Sequence, residues 1–404
     1  MIYDVIVIGS GAAGIMASIT ATQIKKNVLL LEQLPRIATK LKATGGGRCN
    51  LTNTLPQNTF MEKFGKNGRF LTDALNAFSS QDLTTFMKSI GVDTHAPDGF
   101  RIFPVGHNSQ TIIDALIVEM ERVSIQIELN QKVIKVSKED DIFTITTQTN
   151  QFQTKTLIIA TGGKGYEKLG ATGEGYEIAK SLGHSVTKLY PAMMPLFVKE
   201  SWVASCTADT IGKAELVVNL KKYHNKKATG DLIFTKDGIR GPVVLDFARE
   251  ITPLFDEFDE IPISLNLIKG KDENYLLELF KINSGKKLVD VLEEILPKSI
   301  ISSLCQFYNI DCMIEYKKLN GNDKTKLLQI LTKTPLTISG NEGFKLAMIT
   351  RGGIHLKEIN PTSMESKIVS NLYFAGEILD IDGPCGGYNL QWAFSSGFLA
   401  GLLK

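Results

Sequence analysis

Tyr3-Asp4-Val5-Ile6-Val7-Ile8-Gly9-Ser10-Gly11-Ala12-Ala13-Gly14 is the stretch that decides the fold of this 404-residue chain. Its β-branched run predicts a strand buried on both faces of a parallel sheet. Small and apolar residues over 12–24 predict a helix, and Val28-Leu29-Leu30-Leu31 a second buried strand. Strand, crossover helix and strand make a βαβ unit. Gly9, Gly11 and Gly14 take the G-x-G-x-x-G places, which serve a tight turn, close backbone approach to a pyrophosphate, and close helix–strand packing. Ser10, Ala12 and Ala13 complete the loop, and the helix start offers free N–H groups and partial positive charge to phosphates. Glu32 closes the second strand, where a carboxylate accepts from ribose hydroxyls and repels a 2′-phosphate. The expected fold class is α/β, with a Rossmann-like dinucleotide-binding domain. Residues 5–24 carry no charge and imitate a membrane span, but the ordered glycines and the lack of a preceding basic region favour strand, turn and helix.

Outward from this unit, residues 33–53 are polar and glycine-rich, and helices are predicted over 68–78, 80–90 and 110–123, the last capped by Ser109. Short strands follow over 125–129, 132–136, 143–147 and 156–160, the middle ones as a β-meander and the last ending at Thr161-Gly162-Gly163. Strand-like pieces over 214–220, 231–234 and 261–267 suggest a small β-domain, and 272–333 reads as helical with Leu-rich packing stripes. The expected division is an FAD-type domain of residues 1–187 plus 340–404, a β-barrel-like insert at 188–270 and a helical insert at 271–339.

Composition narrows the function classes. With 43% apolar and 22% charged residues the chain is not disordered, and 45 basic against 43 acidic residues leave a net +2 without a nucleic-acid footprint. Lys221-Lys222 and Lys226-Lys227 flank a His-Asn turn and read as a solvated hairpin tip. Cys49, Cys206, Cys305, Cys312 and Cys385 are scattered without C-x-x-C, which predicts neither a disulfide framework nor a zinc ribbon and fits a reducing, cytoplasmic location. The five histidines are equally dispersed and no H-E-x-x-H occurs, so no metal site is expected.

Three further features select FAD over NAD. Thr44-Gly45-Gly46-Gly47-Arg48-Cys49-Asn50 is a second glycine-rich loop whose bare amides and guanidinium can hold a pyrophosphate or line a flavin. Thr161-Gly162-Gly163 lets a strand end against the ADP half. In the C-terminal segment, Gly376-Glu377 delivers a carboxylate to a ribityl hydroxyl, and Gly386-Gly387-Tyr388-Asn389 leads into a helix from about Ala393. The start of that helix can stabilise negative charge on the N1/C2 side of a reduced flavin.

These motifs resemble the two-dinucleotide-binding-domain flavoproteins, and among them the bacterial BaiN-like, aminoacetone-oxidase-like family. Gly230-Asp231-Leu232-Ile233-Phe234-Thr235 with Gly238-Ile239 and Gly241-Pro242, Arg101-Ile102-Phe103-Pro104, Gly352-Gly353-Ile354 and Met364-Glu365-Ser366-Lys367 carry the same resemblance along the whole chain. It implies non-covalent FAD covered by a β-barrel and helical insert, with Gln33, Lys40 and Val133 joining the cofactor-binding set. It implies enone-type reduction or amine oxidation of a small or medium organic substrate. An alternative is a flavoprotein of nucleic-acid modification. Lys236 and Arg240 stand where the family often has His and Ser, and they read either as cations facing the flavin or as solvent-facing variation.

Other residues keep two readings. Cys49 and Cys385 are small packing residues or thiol partners of the flavin, and Tyr388 stacks near the flavin or fills the core. His355 reads as structural. No second strand–G-x-G-x-x-G–helix exists for a dedicated nicotinamide domain, so NADH or NADPH would dock transiently. No catalytic acid–base pair is legible at sequence spacing.

Overall fold

Val5, Ile6 and Val7 are wholly buried, as in a strand whose sheet is covered on both faces, and the strand Ile2–Ile8 has a parallel neighbour on each side. Val28–Leu31 pairs on one side and Gln151–Ile159 on the other, in a computed structural model that describes residues 1–404. Gln126–Glu128 adds a parallel strand beyond Val28–Leu31 at the edge of the same sheet. The meander itself is Val133–Glu139, Ile142–Thr147 and the first half of Gln151–Ile159, paired antiparallel. The second half of Gln151–Ile159 pairs parallel with Leu372–Phe374.

Contacts divide the chain into two units, Met1–Pro191 with Met348–Lys404, and Ala192–Ala347. In the first, helix Ala12–Gln23 and the last helix, Tyr388–Gly401, meet through glycine. A methyl on Gly397 would lie 2.2 Å from the Ala13 carbonyl oxygen, and one on Gly401 2.6 Å from that of Ala17. Tyr388–Gly401 starts several residues before the expected Ala393, because Gly387 at φ +83° turns the chain straight into it. Helix Ser109–Arg122 is capped by Asn108, whose side chain accepts from Gln110 N, and not by Ser109, whose hydroxyl donates to the Lys42 carbonyl at 2.9 Å.

The second unit is a closed six-strand barrel in the order Leu196–Val198, Gly238–Arg240, Lys227–Phe234, Thr210–Val218, Ile261–Asn266 and Thr334–Asn341. Ile261, Ile263 and Leu265 alternate inward, as a half-buried strand requires. Residues 231–234, expected as strand, lie in the strand Lys227–Phe234. Helices Glu273–Ile282, Lys298–Tyr308 and Gly321–Thr332 share one hydrophobic core with the barrel, and Thr334–Asn341 closes it after them, so the insert that the sequence divides at 270/271 packs as one unit. The Lys-rich stretch 221–227 forms the tip of the hairpin between Thr210–Val218 and Lys227–Phe234, with Lys226 paired to Glu250 at 3.3 Å.

One expectation about cysteine fails. Cys305 and Cys312 form a disulfide, while Cys49 and Cys206 are buried thiols. Asn309, left-handed at φ +53°, ends helix Lys298–Tyr308 and turns the chain back so that Cys312 meets Cys305, a return that C-x-x-C spacing does not encode. No helix is long and apolar enough to cross a membrane.

Candidate cofactor site

Four parallel strands of the first unit end at one cleft, delivering Ile8-Gly9, Leu31-Glu32, Ala160-Thr161 and Ala375-Gly376 to its wall. Ligands of open α/β sheets bind at the carboxyl ends of the strands. The cleft runs from the Gly9–Ala13 loop past Glu32 and Thr161 to Glu377 and the first turns of helix Tyr388–Gly401.

Its first loop is built by close contact. Gly9 turns at φ +100°, and a methyl there would sit 2.6 Å from the Ala160 carbonyl oxygen. A methyl on Gly14 would sit 1.8 Å from the Gly9 oxygen, which is why Gly14 packs behind the loop and does not line the cleft. Gly11 has nothing within 4 Å of its missing Cβ and caps helix Ala12–Gln23 without any side-chain cap. The helix start is thus bare where a pyrophosphate would lie. Glu32 is buried, and its Oε2 accepts from Ser10 N at 3.0 Å and Ser10 Oγ at 2.5 Å, its Oε1 from Leu34 N at 2.9 Å. An ionised carboxylate accepts about four hydrogen bonds, so capacity remains for a ribose hydroxyl. Thr161 lines the cleft with a buried hydroxyl that has no protein partner. A bare cradle, an oriented carboxylate and an orphaned hydroxyl fit the ADP half of FAD.

At the other end Glu377 is held from two sides, by Lys40 Nζ at 2.7 Å and by Thr350 N at 2.9 Å. Thr350 Oγ1 in turn accepts from Lys164 N at 2.7 Å. Gly163 makes room for this network, since a methyl there would lie 2.3 Å from Thr350 Oγ1 and 2.5 Å from a Glu377 oxygen. Asn389, Leu390 and Ala393 bring the first turns of helix Tyr388–Gly401 to the cleft. The Asn389 amide clamps the preceding loop, accepting from Gly383 N at 2.7 Å and donating to its oxygen at 2.8 Å. The positive helix end is therefore fixed beside the cleft, as the flavin half requires.

Of the expected residues, Gly9, Ser10, Gly11, Ala12, Ala13, Glu32, Gln33, Lys40, Thr44, Val133, Thr161, Gly162, Gly376, Glu377 and Asn389 line the cleft. Gly45, Gly46, Arg48, Cys49, Asn50, Gly163, Gly387 and Tyr388 do not. Arg48 is exposed, its Nε donating to the Gly45 oxygen at 3.2 Å and its guanidinium 5.7 Å from the Phe103 ring. Asn50, with its amide turned to suit both partners, accepts from Gly387 N at 3.0 Å and donates to the Thr52 oxygen at 3.1 Å. Burial pushes the Cys49 thiol up to about 11, so it is protonated at neutral pH and is a packing residue. Tyr388 is buried against Phe60 and Phe64, with centroids 4.9 and 6.1 Å away. His355 Nδ1 accepts from Lys357 N at 3.2 Å and is structural. Lys236 and Arg240 are exposed residues of the barrel unit.

Sequence reasoning missed one wall of the cleft. Gly170-Ala171-Thr172-Gly173-Glu174-Gly175 lines it, tied down by Gln33 Nε2 to the Gly170 oxygen at 2.6 Å and by Lys132 to Glu174 at 2.6 Å. The signal was available, because this is a third glycine-rich run opening a helix, Glu174–Ser181, with Gly170 and Gly173 at φ +92° and +87°.

Comparison with known proteins gives the chain a family and its fold known relatives. The family profile described as HI0933-like protein Rossmann domain matches residues 3–403. A 3-dehydro-bile acid delta(4,6)-reductase of Clostridium scindens is 30% identical over 401 residues, 98% of this chain and 97% of that protein. A ribosomal RNA dihydrouridine synthase of Escherichia coli is 31% identical over 397 residues, 98% of this chain and 96% of that protein. Among solved structures, the open conformation of a flavocytochrome c3 fumarate reductase superposes with TM-score 0.53 at 20% identity, covering 99% of this chain and 77% of the other. A 3-ketosteroid delta1-dehydrogenase from Sterolibacterium denitrificans gives TM-score 0.54 at 11% identity, covering 99% and 98%. At such identities the structures speak for the fold alone.

Proposed function

The chain belongs to the HI0933-like Rossmann family as an FAD-dependent oxidoreductase, and from that premise we propose that it reduces a carbon–carbon double bond conjugated to a carbonyl in a small organic substrate. One observation carries the reading. The relatives of Clostridium scindens and Escherichia coli are named for different substrates, a 3-dehydro-bile acid and ribosomal RNA uridine, but both names, a delta(4,6)-reductase and a dihydrouridine synthase, describe reduction of a double bond. FAD held in the cleft would supply hydride chemistry for such a reduction.

The protein's own residues bind and orient. The open Gly11 amide region and the helix start hold the pyrophosphate, and Glu32, positioned by Ser10 and Leu34, holds the ribose. Lys40, Thr350 and Glu377 fix the ribityl end, and the Tyr388–Gly401 helix start favours negative charge on the reduced ring. NADH or NADPH is the reductant in this reading and docks transiently. The near-neutral charge supports a small molecule over RNA as substrate.

Anaerobic mixing of the FAD-loaded protein with NADH and then NADPH tests this. Loss of the oxidised-flavin absorbance, restored on adding 4-androstene-3,17-dione or 2-cyclohexen-1-one, is the expected result. Restoration by a uridine-containing ribosomal RNA fragment alone would move the substrate to nucleic acid. No bleaching by either nicotinamide, with bleaching by aminoacetone, would replace reduction by amine oxidation.

A further inference from the structure

Residues 162–175 touch both banks of the cofactor cleft. They leave the end of strand Gln151–Ile159 through Thr161 and return to it, because Gly175 lies against the Thr161 side chain. A methyl on Gly175 would sit 1.9 Å from Thr161 Oγ1, so glycine there leaves that buried, unpartnered hydroxyl its room beside the cleft. In between, the run reaches the opposite bank. Gln33, just past strand Val28–Leu31, donates from Nε2 to the Gly170 oxygen at 2.6 Å. Lys132 meets Glu174 at 2.6 Å, and the Gln131 N–H beside it donates to the Glu32 backbone oxygen at 2.8 Å.

Strand Ile2–Ile8 lies between those banks, paired to Val28–Leu31 on one side and to Gln151–Ile159 on the other. Two strand spacings are roughly 10 Å. The run therefore bridges the strand that carries the Gly9–Gly14 loop. Its reversals are made by left-handed backbone, at φ +61° for Tyr166, +92° for Gly170 and +87° for Gly173. Gly170, Thr172 and Glu174 line the cleft and are only partly buried, so they stand between it and solvent.

The two ties on the far bank join protein to protein. Opening them therefore costs the same whether FAD is held or not. Both lie on the side of Glu32, where the ribose and the base beyond it belong, and not at the Lys40–Glu377 end. Lys132 and Glu174 keep 41% and 33% of their side-chain surface exposed. A pair that exposed adds little to stability and is readily undone.

We infer that residues 162–175 are a strap across the adenosine half of FAD, fastened by Lys132–Glu174 and Gln33–Gly170, and that unfastening gates both entry and exit of the cofactor. The inference rests on the FAD assignment given above. Affinity is set by the groups beneath the strap, the bare Gly11 region and Glu32, and the pace of exchange by its fastenings. Lys132 and Glu174 are thereby positioning residues that act through the loop and not on the flavin ring.

Exchange kinetics in both directions test this. Release from FAD-loaded protein is timed by the activity that freed FAD restores to apo-D-amino-acid oxidase, and binding by flavin fluorescence after apoprotein is mixed with FAD. In Lys132→Met and in Glu174→Gln both rates should rise about threefold or more, while Kd changes by less than about twofold. The double variant should add little to either single one, since both remove the same tie. Salt gives a second readout. About 1 M KCl should speed exchange in the wild type much as the substitutions do, and change Lys132→Met little. Faster release with an unaltered binding rate would make the pair a cofactor contact and overturn the gate. Wild-type rates in both variants, or equal salt effects in wild type and Lys132→Met, overturn it too and leave the FAD assignment standing. If the wild-type protein binds no FAD, that assignment fails and the strap falls with it.

Discussion

In the loop over residues 9–14 a methyl group has nowhere to go at Gly9 or Gly14, where it would lie 2.6 and 1.8 Å from backbone oxygen, although Gly11 between them is open. In the Thr44–Gly47 loop a methyl at Gly46 or Gly47 would meet nothing within 4 Å, yet Gly45, Gly46 and Gly47 turn left-handed at φ +58°, +66° and +85°. The first loop needs glycine for space and the second for handedness. Space is lost to any side chain, whereas handedness is also available, at modest cost, to Asn. The same letter in a sequence thus marks two physical demands with different tolerance.

The largest effect should come from Gly14→Val. Its branched side chain would drive helix Ala12–Gln23 off the strand, and we expect FAD binding to vanish and Tm to drop by roughly 10 °C or more, read by flavin content and thermal melting. A variant that loads FAD with a normal Tm would erase the contrast between the loops. Glu32→Ala comes next. It strips the acceptor from Ser10 N and Leu34 N as well as from the ribose, and FAD should bind roughly 10²–10³ times more weakly in a fluorescence titration. Unchanged affinity would remove Glu32 from the ribose role.

The second loop is sharpened by Cys49. Its thiol sits at about 11 in the fold against an ordinary 9.0, so the unfolded chain releases its proton first as pH rises. The contribution of the buried neutral thiol is intact below pH 9 and declines between pH 9 and 11, by about 1.4 kcal/mol per unit. Urea melts from pH 8 to 10.5 should show that decline in the wild type and lack it in Cys49→Ala. Smallest is Gly46, where Ala should cost about 1 kcal/mol and Asn only part of it, measured the same way. Equal costs would mean that handedness is not what Gly46 supplies.

Legibility followed the same division. The strand, the G-x-G-x-x-G and Glu32 were readable because backbone packing alone fixes them, and each lies where a parallel sheet must put it. Arg48, Asn50 and Tyr388 belong to the right segments, but their side chains turn to Phe103, Gly387 and Phe60, partners chosen by tertiary packing. The Cys305–Cys312 bond and the 170–175 wall depend on chain reversals that no periodicity announces. The Asn108 cap was missed by a single residue, the usual grain of boundary reading.

Strand Gln151–Ile159 serves two neighbours along one edge, the meander with its first half and Leu372–Phe374 with its second. During vectorial synthesis the ribosome must complete the whole barrel unit, Ala192–Ala347, before the later partner exists. Until then Leu157, Ile158 and Ile159 present an apolar, unpaired rim, the kind of edge that nascent chains aggregate through. Helix Ala12–Gln23 waits equally long for Gly397 and Gly401. Translation speed through the barrel is thereby a determinant of how much flavoenzyme the cell recovers, and a chaperone that shields that rim would act on residues the finished protein hides.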